Sequence, residues 1–296
     1  MILSASYNLF DGEELLEGSI SQIRNQVDYI TVIYQDTSNF GEKRDSLKSY
    51  LQDLKQRGLI DDFFMFTPNL WRSASTNERT KRNIGLKVAK ITGCTHYMSL
   101  DTDELYKPQQ FYNAKNIIEK GGFDASYCQM QTFYKSWEYR LSPPEDYYVP
   151  FIFKIIEGRK HKRTKFKLLV DPTRNMKSKN FKIFERKDLE MMHGSYIRND
   201  IGRKLNNSSS RKGFEGKRQK ITDYFINWQY PQKALLAGNV DRFYNVEKVN
   251  YFPEPILENY QSNFRKKDLG VRYLQKKISL SNGMKAILNL LKFRKI

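Results

Sequence analysis

Gly93-Cys94-Thr95-His96-Tyr97-Met98-Ser99-Leu100-Asp101-Thr102-Asp103-Glu104 decides how this chain is read. Gly93 can end a helix in the left-handed region, and the apolar run after it reads as a strand that closes on acidic residues. Just upstream, Ile84, Val88 and Ile91 fall on one helical face. Further back, residues 63–66 read as a strand, and Leu47, Tyr50, Leu51 and Leu54 mark an amphipathic helix. The β-branched and aromatic run 29–34 is another strand, and Leu16, Ile20, Ile23 and Val27 form a helix after a first strand in residues 1–6. Strands separated by helices of this length need right-handed crossovers, and therefore a mostly parallel sheet flanked by helices. The expected fold class is α/β. Residues 125–134 and 147–155 read as further strands that complete the sheet.

Ligands of such sheets bind beyond the carboxyl ends of the strands. The residues to inspect are therefore Tyr7 and Asn8, Gln35 and Asp36, and Asp101 to Glu104. No Gly-x-Gly-x-x-Gly follows the first strand, which argues against a dinucleotide cofactor, and no phosphate-cradling glycine loop is present. Along an extended backbone Asp101 and Asp103 project to one side, and hard carboxylate oxygens with open positions suit Mg2+ or Mn2+ completed by a diphosphate. The competing reading is an acidic turn that is polar because loops are polar.

Lys81-Arg82-Asn83-Ile84-Gly85, taken with the stretch from Gly93 to Glu104, resembles the donor-binding core of family 2-like glycosyltransferases over about residues 1–135. The resemblance implies a GT-A (Rossmann-like) fold and transfer of a sugar from a nucleotide-diphosphate donor to a hydroxyl of a glycan or lipid-linked acceptor. It implies that Tyr7, Asn8 and Asp36 lie near base and ribose with Gln35 beside them, Arg82 and Asn83 near the donor, and Asp101 and Asp103 at the metal. Arg82 is also suited to clamp phosphate or ribose oxygens, or is a solvated helix arginine. Glu104 reads as an acceptor or metal-orienting group, or as a plain turn carboxylate.

Only three histidines are available. His96 lies inside a strand and reads as core, and His161 falls in the solvated basic run Arg159 to Arg163. His193, followed by Gly194, resembles the later family histidine and is the expected third metal ligand, with Arg198 and Arg203 nearby to neutralise a departing diphosphate. An inverting transferase needs a carboxylate base, for which Glu138 is the candidate and Asp171 its rival; stereochemistry stays open.

Composition bounds the rest. With 296 residues, 39% hydrophobic and 14% aromatic, the chain has ample material for a core. Its formal charge of +18 attracts polyanions, and the basic residues concentrate in residues 159–187 and 265–295. Cys94 and Cys128 have neither metal-ligand nor disulfide-framework spacing, and no segment reads as a leader or a membrane span, so a cytoplasmic protein is expected. Residues 1–260 read as the catalytic domain, divided into a nucleotide-sugar half (1–135) and an acceptor half (136–260), and residues 261–296 as a basic extension. There Met284, Ile287, Leu288 and Leu291 lie at helical spacing among Lys285, Lys292, Arg294 and Lys295. Such a helix docks on the domain or, through residues 264–296, lies on an anionic membrane as a peripheral attachment to its inner face. Asn206 to Ser210 reads as a low-complexity loop suited to a lid. Two other functions fit parts of the pattern. A nucleotidyl or phosphoryl transferase would use the same metal site, whereas a nucleic-acid binder would use the basic patches and leave Asp101 and Asp103 without a role, so no nucleic acid is expected.

Overall fold

The computed structural model describes residues 1–163, 166–237, 242–251, 253 and 268–293, apart from the side chains of 268, 269, 288 and 290–293. Its first half alternates as expected: β1 (Leu3–Leu9), α1 (Glu13–Ile23), β2 (Tyr29–Tyr34), α2 (Lys48–Gln56), β3 (Asp62–Met65), α3 (Ala74–Thr92) and β4 (His96–Asp101). There follow β5 (Glu104–Tyr106), α4 (Pro108–Gly121), β6 (Ala125–Tyr134), β7 (Ser136–Ser142), β8 (Tyr148–Lys154), β9 (Phe181–Ile183) and β10 (Glu190–Tyr196). The remainder comprises α5 (Ile201–Asn207), α6 (Arg218–Asn227), β11 (Ala234–Leu235), β12 (Phe243–Lys248) and α7 (Asp268–Phe293).

The strands form one mixed sheet in the order β11-β12-β7-β6-β8-β4-β1-β2-β3, with helices on both faces. It is parallel from β3 to β4 and turns antiparallel where β8 enters between β4 and β6. The expected mixed α/β class is what is found. β5 and β9 are short additions, and β10 lies parallel to β6 and antiparallel to β5, which brings the end of the second half back to the tip of β4.

β1 shows how the sequence sets the two layers. Leu3, Ala5, Tyr7 and Leu9 pack into a core with α1, α2 and α4, while Ser4, Ser6 and Asn8 occupy the opposite face. Small polar residues on that second face let α3 come close. Gly85 sits against Ser6, and a Cβ there would lie 2.0 Å from the serine hydroxyl. Gly93 ends α3 at φ 86°, as its position before the strand suggested.

α7 docks on the domain, one of the two expected uses of the C-terminal helix, through a face the spacing of Met284 and Ile287 does not mark. Its docked face carries Val271, Leu274, Asn282 and Asn289, not Met284 and Ile287. The two buried amides read the backbone after β3 as a sheet edge would. Asn282 accepts from Thr67 N at 2.9 Å and donates to Met65 O at 2.7 Å, and Asn289 accepts from Leu70 N at 3.0 Å and donates to Pro68 O at 2.8 Å. Met284 and Ile287 lie on the far side, 66% and 64% exposed. The side chains of Leu288, Leu291 and Lys292, and residues Arg294 and Lys295, fall outside the described residues. Asn206 and Asn207, read as loop, close α5 instead.

Candidate functional site

The close approach of α3 at Gly85 carries Arg82 over the end of β4. Its Nη1 donates to Ser99 Oγ at 2.9 Å, and its Nη2 to both oxygens of Asp101 at 3.1 and 3.2 Å. A second guanidinium, Arg174, donates to Asp101 Oδ2 at 2.5 Å, to both oxygens of Glu104, and through Nε lies 3.2 Å from Asp171. Arg174 is itself held by a relay. Asn83 on α3 donates to His161 O at 3.0 Å and accepts from His161 N at 2.8 Å, and the His161 ring bonds Arg174 O through Nδ1 at 2.5 Å. Burial pushes the Asp101 carboxyl up, but Arg174 and then Arg82 outweigh it and hold Asp101 well below the usual carboxylate range. Glu104 goes the other way: burial raises it to about 7 against the pull of Arg174, and the neighbouring Asp101 adds to the rise.

Asp103 lies in the turn between β4 and β5, so strand alternation does not govern it. Arg198 Nη2 donates to its Oδ2 at 2.5 Å, and His193 Nε2 is 3.8 Å from the same oxygen. His193 is on β10, where register sets it beside Glu104 of β5 and Thr132 of β6. Burial lowers His193 to about 4, against the opposing pull of Asp103, and leaves its ring neutral near pH 7. Arg198 is 5% exposed, yet its Nε and Nη1 have no hydrogen-bond partner among the described residues. Gly12, at φ 85°, leaves room for it, since a Cβ there would lie 1.9 Å from Nη1. Burial also lowers Lys204, to about 8, with repulsion from Arg198 in the same direction.

These contacts test the expected cation. Both oxygens of Asp101 and one of Asp103 already accept guanidinium protons, whereas a Mg2+ or Mn2+ ion needs such oxygens as direct ligands. Among the described residues no group of three or more His, Cys, Asp or Glu side chains is placed to hold a metal. As arranged, Asp101, Asp103 and His193 do not fit a divalent cation, because arginines occupy the positions the ion would take.

The carboxyl edge of the parallel strands is different. Asn8 is 6% exposed with both side-chain polar atoms buried and unpartnered, and Gln35 Oε1 and Asp36 Oδ1 are likewise buried without a partner among the described residues. Asn8 stands beside Asp101 in register. All three, expected as donor-side residues, lie at this edge.

Four other expectations need correction. Tyr7 faces the α1 layer, fully buried, with its hydroxyl 2.9 Å from Ser19 Oγ, and so cannot meet a nucleotide. Asn83 spends its amide on the His161 backbone and positions rather than binds. Glu138 follows Trp137, whose ring packs on Leu105, Phe133 and Met192, and none of its hydrogen bonds among the described residues joins it to Asp101, Asp103 or His193. His161 is 2% exposed and packs edge-on to Tyr97 and Phe153; the basic run around it is not solvated at this residue. Asp171 is at the site, but ion-paired to Arg174. The residue that sequence reading missed is Arg174, which no motif flags.

No protein-family model matches the chain, and no curated protein matches it. Solved structures of similar arrangement include S. aureus TarS 1–349 in complex with UDP, 12% identical, covering 49% of this chain and 39% of that one at a TM-score of 0.36. S. aureus TarS 1–349 covers 77% and 73% at 12% identity and a TM-score of 0.41. S. aureus TarS covers 76% and 44% at 10% identity and a TM-score of 0.42. The chain spans 39% of the length of the UDP-bound structure, and a likeness at this level says nothing about chemistry.

The buried relay has a pH signature. Burial first, then the charge of Arg82, lowers His161 to about 3, below its ordinary value of 6.5. The unfolded chain therefore binds the proton that the folded chain refuses, so His161 contributes stability that is present above pH 6.5 and is lost as pH falls. At pH 5 the loss is about 2 kcal/mol from this group, at about 1.4 kcal/mol per pH unit below 6.5. Urea midpoints at pH 7.5 and pH 5 should show that fall, and a His161→Asn variant should show a shallower one. An unchanged slope would remove His161 from the relay.

Proposed function

We propose that the chain is a glycosyltransferase that moves a sugar from a nucleotide-diphosphate donor to a hydroxyl of a glycan or lipid-linked acceptor. One observation carries this reading: buried polar atoms of Asn8, Gln35 and Asp36, without partners among the described residues, line the carboxyl edge of the parallel strands, and Arg198 beside Asp103 keeps two nitrogens in the same state. Buried polar groups without partners are costly and mark a place where a ligand supplies the partners. The amide and carboxylate oxygens suit ribose hydroxyls and base N–H groups, and Arg198 suits a phosphate.

Breaking the anomeric C–O bond leaves negative charge on the departing diphosphate. Preorganised donors in a dry site stabilise such charge best. Arg198 keeps two such donors, Nε and Nη1, without an acceptor among the described residues, and is anchored through its third nitrogen on Asp103. Arg82 and Arg174 hold Asp101 in place beside it. A Mn2+ or Mg2+ ion forms no part of the proposed step, because it would first have to displace these guanidiniums. A nucleotidyl or phosphoryl transferase would use the same carboxylates but lacks its glycine loop here, and a nucleic-acid binder leaves the buried polar edge unused.

Thermal unfolding with a panel of nucleoside diphosphates tests the site. A ligand at a hundred times its Kd should add about 2.7 kcal/mol of stability, equally in EDTA and in Mn2+. Arg198→Met should abolish the effect. A shift seen only with Mn2+ would restore the cation, and no shift with any nucleotide would end the transferase reading.

The proposal also places the chain on the inner face of the cytoplasmic membrane. Tyr273, Leu280, Met284 and Ile287 make one stripe on α7, each 64 to 67% exposed, and the exposed Lys276 and Lys277 flank it on either side. Residues 269–296 contain no Asp or Glu. An apolar stripe bordered by lysines suits an anionic bilayer, whereas a second copy would set lysine against lysine. The full chain should co-sediment with phosphatidylglycerol vesicles and not with phosphatidylcholine ones, and a Leu280→Ser, Met284→Ser double variant should lose most of that binding. Equal binding by the variant would discard the surface.

A further inference from the structure

Resting on the transferase reading, we propose that Glu145 is the general base that deprotonates the acceptor hydroxyl, and hence that transfer inverts the anomeric centre. The placement follows from register. Glu104 on β5, His193 on β10 and Thr132 on β6 are consecutive cross-strand neighbours, so their side chains share one face of the sheet. Glu104 meets Arg174 at one end of this row. At the other end the Thr132 hydroxyl donates to Glu145 Oε2. Two inter-strand spacings separate the ends, about 10 Å.

The carboxylates around this face differ in one respect. Asp101, Asp103, Glu104 and Asp171 each have an arginine on the carboxylate, which weakens them as bases. Glu145 has no ion pair among the described residues. Arg186 donates to the Glu145 backbone oxygen at 2.5 Å and is itself taken up by Glu190. Asp146 and Tyr147 on the same loop, Tyr196 on β10 and Arg242 across the cleft are the other titratable groups around it among the described residues. Burial raises the Glu145 carboxyl above its ordinary value, with Thr132 and Arg186 pulling the other way. A base is most effective when its pKa approaches the working pH.

Glu145 also has access to an acceptor. It lines an open cleft with Pro143, Tyr147, Leu169, Tyr244 and Asn245, between the loop after β7 and the start of β12. In the step, the acceptor O–H gives its proton to Glu145, the oxygen forms a bond to the anomeric carbon, and the anomeric C–O bond to the diphosphate breaks. The bonding pair leaves with the nucleoside diphosphate.

The test uses the full chain with water as the acceptor. The parent is given UDP-glucose, UDP-N-acetylglucosamine, UDP-galactose, GDP-mannose and dTDP-glucose, and nucleoside diphosphate release is followed on the best of them. Glu145→Gln should lower kcat by about 10²- to 10⁴-fold with KM for the donor within twofold. Glu145→Asp should recover part of the loss. Proton NMR of the sugar first released by the parent should show the inverted anomer. Glu145→Gln turning over within threefold of the parent, KM rising in step with the loss of kcat, or a retained anomer would each overturn the assignment while leaving the transferase reading intact. A parent that hydrolyses none of the five donors would overturn that reading, and the assignment with it.

Discussion

Arg174 is the constraint on which the rest of the site depends. It is 6% exposed and is shared among Asp101, Glu104 and Asp171, carboxylates that come from the end of β4, the start of β5 and a loop far along the chain. Burying such charges is costly, and their mutual attraction offsets the cost only when geometry and further hydrogen bonds are good. Here the relay from Asn83 through His161 fixes the arginine's backbone, and Gly85 fixes the helix from which the relay starts. The cluster therefore contributes less to stability than to position. It fixes Asp101 beside Asn8 at the edge of the sheet, and leaves Arg198, anchored only through Asp103, with donors to spare.

The parallel half of the fold was legible because its signals are local. Alternation in β1, the β-branched run of β2 and the glycine that ends α3 each state their structure within a few residues. The antiparallel half was only partly legible: β6 and β8 could be read from apolar runs, but β7 and β10 carry polar and aromatic residues whose strand character comes from their neighbours. His193 belongs to this half, and its place on a strand beside Glu104 and Thr132 comes from pairing rather than from its own segment.

Within the site, legibility tracked the same boundary. Asn8, Gln35, Asp36, Arg82 and Asp101 follow strands or sit on a helix whose packing is visible in sequence. Arg174 and Glu145 lie in irregular segments with no periodicity, and only tertiary contacts show their roles. Asp101-Thr102-Asp103 misled in one respect. As a pair of side chains on a strand it suggested a cation, but the second residue belongs to a turn, and arginines from α3 and two later segments reach the oxygens first. Helix α7 gave a similar lesson: apolar residues lie on both of its faces, so spacing alone could not say which one docks.

Arg174 is the shared counter-ion that holds the end of β4 in place. Unfolding free energies in urea for Arg174→Met, alone and combined with Asp101→Asn and Glu104→Gln, measure this directly. The single change should cost about 3 to 5 kcal/mol, as expected when buried carboxylates lose their partner, and neutralising the two carboxylates should recover most of it. A cost below about 1 kcal/mol, the size of an exposed pair, or no recovery in the triple variant, would contradict it.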